Sequence, residues 1–278
     1  MSAPSLSPSP AASPSPSPSL RLTVRDSATM LRRNLLHARR YPSLTLNVLL
    51  TPVVLLLLFV YVLGDTLSAG LAGHPDRGQY LAYVVPGILM LTVGGASLGT
   101  AVSVCTDMTE GIIARFRTMA ISRGAVLFGH VAGGVLQVMI SVVLVTGVAL
   151  AIGFRPDATP VEWLAALGLA VLVSLALTWL AVGIGLSSPT PEGASNVGLP
   201  LLMLPFLGSA FVPVDSMPGW FRWFAEYQPF TPFIETLRGL LLGSAIGKDG
   251  WLALGWGVAL VVLGQLWSTA LFTRDPSR

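Results

Sequence analysis

The stretch Thr106–Gly124, TDMTEGIIARFRTMAISRG, decides how this chain is read, because it is an island of charge between two long runs without Asp, Glu, Lys or Arg. Those runs are Gly78–Thr106 and Gly124–Phe154. Each is long enough to cross a hydrocarbon core, which takes about 20 helical residues. Within the island Ile112, Phe116, Met119 and Ala120 fall at i, i+4, i+7 and i+8, on one face of a helix, whereas Glu110, Arg115 and Arg117 fall off it. The spacing predicts a short amphipathic helix held at a membrane surface. A solvated loop that only keeps two membrane helices in register fits the same charges.

Composition agrees with that frame. Of the 278 residues 53% are hydrophobic and only 10% charged, against about 25% charged in an ordinary soluble domain. Such a chain cannot cover a globular surface with polar groups. Six stretches have the length and apolarity of membrane spans: Ser43–Leu63, Tyr80–Cys105, Ala125–Ile152, Trp163–Leu186, Val197–Val212 and Trp251–Phe272. The expected fold is an all-α membrane protein with six transmembrane helices, its fifth span the shortest.

Orientation follows from the basic residues, which cytoplasmic loops hold in excess. With the N-terminus inside, that side receives Arg21, Arg25, Arg32, Arg33, Arg39, Arg40, Arg115, Arg117, Arg123, Arg274 and Arg278. The other receives Arg77, Arg155, Arg222, Arg238 and Lys248, interleaved with acids. Both termini are therefore expected in the cytoplasm. The net charge of +3 is read as topology and attraction to anionic lipid, and no aromatic-interleaved basic patch points to nucleic acid. The single Cys105 cannot form an internal disulfide.

Residues 1–19 are almost wholly Ser, Pro and Ala and are expected to be a disordered cytoplasmic tail. They do not have the basic start and apolar core of a signal peptide. Residues 20–272 form the transmembrane domain and 273–278 a short cytoplasmic tail. From Leu20 to Arg40, Val24, Ala28, Leu31, Leu35 and Ala38 share one helical face flanked by Arg21, Arg25, Arg32 and Arg39. That predicts a helix lying in the membrane interface.

Inside the spans, polar and small residues are the informative ones. Gly95, Gly99 and Ser103 repeat at four in the second span, a pattern that lets another backbone approach closely. His130, Gly134, Gln137 and Ser141 make a polar stripe on the third, which fits either helix packing or the lining of a cavity. No Lys, Arg, Asp or Glu is expected within the bilayer to relay protons or bind sodium. His37 and His74 have no ligand partners at metal-binding spacing, so no metal site is assigned.

Beyond the fifth span, Pro218 and Pro232 suit first-turn helix positions, with Ser216 or Met217 and Thr231 as entry residues and Pro229 between two short helices. Trp220, Phe221, Trp223, Phe224 and Tyr227 are aromatics of the kind that settle at headgroup depth. A nucleotide cradle is not legible: the only Lys, Lys248, lies in LGSAIGKD, where the first Gly is displaced and Asp replaces the Ser or Thr of a P-loop.

The string GIIARFRTMAISRGAVLFG resembles the cytoplasmic coupling loop between the second and third spans of type 2 ABC exporter permeases, especially the daunorubicin/doxorubicin-resistance type. Pro191-Glu192-Gly193-Ala194 resembles the stretch before their fifth span, and FVPVDSMPGWFRWFAEYQPFTPFIETLRGLL closely resembles their region between spans five and six. The resemblance covers the chain after residue 20. It implies a permease subunit that is not an enzyme, with ATP and Mg bound by a separate ABC ATPase, a second permease copy or close paralogue as partner, and contact with membrane lipids.

In that frame Glu110, Ile112, Ile113, Phe116, Arg117 and Met119 are the residues expected to couple to the ATPase. Re-entrant extracellular helices carrying Pro218, Trp220, Phe221 and Phe224 are expected to gate the outer end. Gln137, Ser141, Phe206 and Phe211 are the expected substrate path, since an amphipathic solute can be held by dispersion and hydrogen bonds without a costly buried charge. The implied function is export of an amphipathic small molecule such as a drug, antibiotic or lipid-like metabolite. Export of a polysaccharide or lipid-linked glycan, and a scaffold or immunity protein without transport, stand as alternatives.

Overall fold

The computed structural model describes residues 42–64, 77–110 and 123–273. The N-terminal tail, the interfacial helix of residues 20–40, the island positions Ile112, Ile113, Phe116, Arg117 and Met119, and the last five residues lie outside the described residues. What is described is helical, with no strand among it. In chain order the helices are α1 (Pro42–Leu57, continued by a π-turn over Leu58–Val62), α2 (Arg77–Thr109), α3 (Arg123–Ala151), α4 (Pro160–Ser187), α5 (Pro191–Met203), α6 (Gly219–Tyr227), α7 (Phe230–Leu242) and α8 (Asp249–Thr273).

Local chemistry sets the boundaries. Thr159 caps α4: its hydroxyl accepts from the Glu162 N–H at 3.3 Å while the Glu162 carboxylate accepts from the Thr159 N–H at 2.7 Å, and Pro160 occupies the first turn. Thr190 caps α5 through the Gly193 N–H at 3.1 Å, again with Pro following. α7 stops at Gly243, whose φ of 64° is the left-handed conformation that ends helices and that glycine adopts without strain.

Among the described residues four helices have the length and apolarity of membrane spans: Gly78–Thr109, Leu127–Ala151, Pro160–Ser187 and Asp249–Thr273. These correspond to the second, third, fourth and sixth expected spans. The first and fifth are shorter. The described apolar part of the first is Leu50–Val62. The fifth is not the continuous helix expected over Val197–Val212; it begins at Pro191, tightens into a 3₁₀ turn over Leu204–Leu207, and goes on as irregular turns beside α2. Pro205 is the physical reason, since it has no N–H to continue the α-ladder.

α2 and α4 form the centre of the bundle. α2 packs on α1, α3, α4, α5 and α7, and α4 on α2, α3, α5, α7 and α8. Helices in lipid gain little from apolar burial against one another, so small residues that permit close approach decide where they meet. A Cβ on Gly134 of α3 would lie 2.4 Å from Thr100 Oγ1 of α2 and 2.8 Å from Thr178 Cγ2 of α4, which makes this glycine the junction of three helices. The stripe expected to do this on α2 does not. A Cβ on Gly99 would meet nothing within 4 Å and one on Gly95 only Leu202 Cδ1 at 3.7 Å, because a leucine side chain of α5, not a backbone, faces that side.

Candidate functional site

The break after α5 creates a problem that the rest of the chain solves. Residues 204–209 have left the helical ladder, and carbonyls buried away from water must find donors from elsewhere. Gln228, buried between α6 and α7, donates from Nε2 to Leu204 O at 3.3 Å and to Thr231 Oγ1 at 3.0 Å, while its Oε1 accepts from the Phe230 N–H at 3.1 Å. The Thr231 hydroxyl in turn donates to Ala225 O at 2.5 Å. The corner between the two short helices falls at Pro229 as the sequence indicates, but its capping group is Gln228 and not Thr231. Thr231 is already inside α7, and Pro232 is its third residue.

The second donor is Arg238 of α7, only 8% exposed. Its guanidinium donates from Nε and from one terminal nitrogen to Tyr83 O of α2, at 3.3 and 3.1 Å, and from the same terminal nitrogen to Ser209 O at 2.9 Å. The other terminal nitrogen pairs with Glu235 at 2.5 Å, and the guanidinium carbon sits 3.9 Å from the centroid of the Tyr83 ring. The Tyr83 hydroxyl closes the set by donating to Ser209 O at 3.1 Å. One fork-shaped cation thus joins α2, α7 and the broken end of α5, and supplies a donor to the freed carbonyl of Ser209. Arg238 was counted with the basic residues of the outer side; the structure makes it a buried structural cation. The i, i+3 spacing of Glu235 and Arg238 is the signal that marks it in the sequence.

Beside this staple lies an aromatic ladder. Phe59 of the π-turn stacks on Phe211 with ring centroids 3.9 Å apart, and Phe211 on Phe206 at 5.1 Å. Phe211 is buried, whereas Phe206 remains 39% exposed. Gln137 and Ser141, the other expected path residues, lie on α3 and are not brought to that ladder by any ring or hydrogen-bond contact described. Ser141 is fully buried and donates to Gln137 O of its own helix at 3.0 Å; Gln137 is half-buried.

α6 turns an aromatic face outward. Trp220, Trp223, Phe224 and Tyr227 occupy i, i+3, i+4 and i+7 and are all exposed, while Ala225 on the opposite face is fully buried. Phe221 is half-buried, in ring contact with Trp220 at 5.5 Å and Phe224 at 5.7 Å, and Pro218 stands immediately before the helix. Two ion pairs pin this helix at its exposed side: Arg222 with Asp215, and Glu226 with Lys248 at 2.5 Å. The hydrogen bond from Lys248 holds the Glu226 carboxyl below its ordinary value, and the same bond pushes the Lys248 ammonium above its own.

The opposite end of the bundle is built differently. His130 Nε2 of α3 lies 3.3 Å from Asp107 Oδ2 of α2, both buried. That pair ties the last turns of α2 to the first turns of α3, on either side of the charged island. Cys105 is buried and its thiol donates to Ser188 O at 3.3 Å, joining α2 to the exit of α4. Glu110 is exposed at the edge of the island. His130 was expected to belong to a polar stripe; the structure gives it Asp107 as a partner. Among the described residues no group of His, Cys, Asp and Glu is arranged to hold a metal ion.

Four membrane-length helices among the described residues, centred on α2 and α4 and joined by Arg238 at the α6–α7 corner, define a multi-pass membrane protein. Residues 26–242 match the family described as ABC-2 type transporter. The chain is 26% identical over 241 residues to the daunorubicin resistance ABC transporter permease protein DrrB1 of Streptomyces coeruleorubidus, covering 86% of this chain and 83% of that one. It is 24% identical to the probable doxorubicin resistance ABC transporter permease protein DrrC of Mycobacterium tuberculosis, over 70% of each. It is also 24% identical to ABC transporter G family member 20 of Dictyostelium discoideum, over 72% of this chain and 28% of that one. The chain belongs to the ABC-2 type transporter family. It is a membrane permease and not an enzyme, and permeases of this type work with an ATPase partner.

Proposed function

We propose that this chain is the membrane subunit of an ATP-driven exporter that moves an amphipathic small molecule, of the drug, antibiotic or lipid-like class, out of the cell. The carrying observation is α2. It runs from Arg77 to Thr109, and the part from Tyr83 in the Arg238 staple to Thr109, next to Glu110 at the edge of the charged island, is about 40 Å of helix. A single continuous helix, with Pro86 one turn beyond Tyr83, therefore reaches from the α6–α7 corner to the place where an ATPase would dock. The names of the two resistance permeases support the solute class.

In this reading the short α1 and α5 also cross the membrane, which completes six spans, and residues 20–40 lie at its inner surface. The excess of arginines around the island and termini puts both ends of the chain and the island in the cytoplasm. A second copy or a close relative supplies the other half of the permease, and two ATPase subunits bind ATP and Mg. Glu110, Ile112, Ile113, Phe116, Arg117 and Met119 meet the ATPase. Gln137, Ser141, Phe206 and Phe211 contact the solute, with Gln137 and Phe206 the accessible members of the set. Pro218, Trp220, Phe221 and Phe224 close the outer end, where the outward aromatic face of α6 sits at headgroup depth.

The test is Phe116→Asp in complex with the candidate ATPase. The permease should still insert and purify, since the island lies outside the bilayer, while ATPase association falls by at least about tenfold, as for a central apolar contact of an interface. Co-purification and transport at the parent level would remove the docking assignment.

A further inference from the structure

Asp107 and His130 both lie inside stretches with the length and apolarity of membrane spans, Gly78–Thr109 and Leu127–Ala151. Ionisable side chains are costly to hold at such places, and where they occur they face a partner and mark a function. Here the two side chains are only 13% and 6% exposed, and the contact between them is His130 Nε2 to Asp107 Oδ2. Neither residue belongs to the contacts with ATPase, solute or outer end set out above.

Position gives the contact a task. Asp107 stands two residues before Thr109, where α2 ends, and His130 about two turns after Arg123, where α3 begins. The charged island runs between those two ends. Farther into the bundle the seam between α2 and α3 is packed without spare room. Gly134, one turn beyond His130, leaves no space for a Cβ against Thr100, which lies seven residues before Asp107 on α2.

Toward the island the other neighbours at this seam are apolar, with Val104, Leu127 and Val131 in one buried cluster. Apolar contact gives helix ends in a bilayer little reason to stay together, since lipid can replace it. A buried polar pair does give one, because separation leaves each group without the other where water is scarce. The pair therefore fixes the end of α2 to the start of α3 just before the island.

We propose that Asp107 and His130 are positioning residues for coupling: their contact holds the two flanks of the island as one unit, so that a displacement of α2 reaches the ATPase through both flanks. This role rests on the reading that the island meets the ATPase. It differs from plain stabilisation in one respect. A buried polar pair exchanged for apolar side chains often keeps or gains stability, so removal of both partners separates stability from coupling.

The test compares assembled complexes of permease and ATPase in nanodiscs. The variant Asp107→Leu/His130→Leu should assemble, melt at the parent temperature or above, and keep the parent KM for ATP. Its kcat for basal ATP turnover should change by at least about fivefold, the lower edge of ordinary coupling between distant sites. Asp107→Asn/His130→Leu, which also removes the contact without leaving a buried charge, should do the same. The exchanged pair Asp107→His/His130→Asp should return kcat to the parent value. An unchanged kcat in either assembled variant would overturn the proposal, and so would a changed kcat that the exchanged pair leaves uncorrected. Failure of the docking reading looks different: Phe116→Asp, run beside these variants, would then co-purify with the ATPase as fully as the parent.

Discussion

α2 and α8 are both membrane-length helices, yet 72% of the most apolar window of α2 is buried inside the bundle and only 17% of that of α8. The difference is not one of apolarity. α8 leans on α4 and α7 and turns Val258, Val262, Leu263 and Leu266 outward, where lipid solvates them as well as protein would. α2 carries Thr92, Ser97, Thr100 and Asp107 to buried positions and lends the Tyr83 carbonyl and ring to Arg238. In a bilayer, centrality is set by small residues and by polar groups that need partners, because these are what lipid cannot satisfy.

The largest effect that bears on this contrast is at the staple. Arg238→Ala takes one donor each from Ser209 O and Tyr83 O, leaving Ser209 O only the Tyr83 hydroxyl, and leaves Glu235 without its partner. We expect a loss of about 3–5 kcal/mol in the unfolding free energy of the detergent-solubilised protein, the cost of breaking a buried charge pair. A loss under about 1 kcal/mol would mean that α2 is held by packing alone.

A smaller effect compares a glycine at the junction of α2, α3 and α4 with one on the open side of α8. Gly134→Ala drives a Cβ into Thr100 and Thr178 at the α2–α3–α4 junction and should cost about 1–3 kcal/mol. Gly255→Ala on α8 meets nothing within 4 Å and should be neutral or stabilise by about 0.5–1 kcal/mol. Equal effects at both positions, read from the same denaturation curves, would erase the distinction between central and peripheral spans.

The smallest effect concerns the surface pair Glu226–Lys248. The folded Glu226 carboxyl lies below its ordinary 4.5, so its contribution to stability is present above that pH and is lost as pH falls through the folded value. The folded Lys248 ammonium lies above its ordinary 10.5, so its contribution is present below that pH and is lost as pH rises through the folded value. The Tm difference between the parent and Lys248→Ala should therefore be flat between these limits and shrink outside them. A difference that grows toward acid would contradict the pairing.

Much of this was legible in the residues. Charge-free runs located α2, α3, α4 and α8, and Pro229 located the corner between α6 and α7. The fifth span was misread because apolarity alone ignores Pro205, which ends the helical ladder in the middle of an uncharged run. Arg238 was misread for a related reason: an arginine near a span end looks like topology until the carbonyls freed near Pro205, some thirty residues earlier, call for a donor. Asp107 and His130 each looked like local features, and only the return of α3 beside α2 makes them a pair. The glycine stripe of α2 shows the same limit, since spacing cannot say whether a backbone or the Leu202 side chain will face it. The candidate coupling residues beyond Glu110 rest on sequence alone.

The central claim is that α2 links the Arg238 corner to the ATPase at the far end of the molecule. The most direct measurement is the basal ATP turnover of the assembled complex carrying Arg238→Lys, which keeps the charge but not the fork that spans Tyr83 and Ser209. With complex assembly equal to the parent, turnover should change by at least about fivefold, the lower edge of ordinary coupling between distant sites. Unchanged turnover in an assembled complex, with the corner shown to be loosened by its lowered Tm, would contradict the claim.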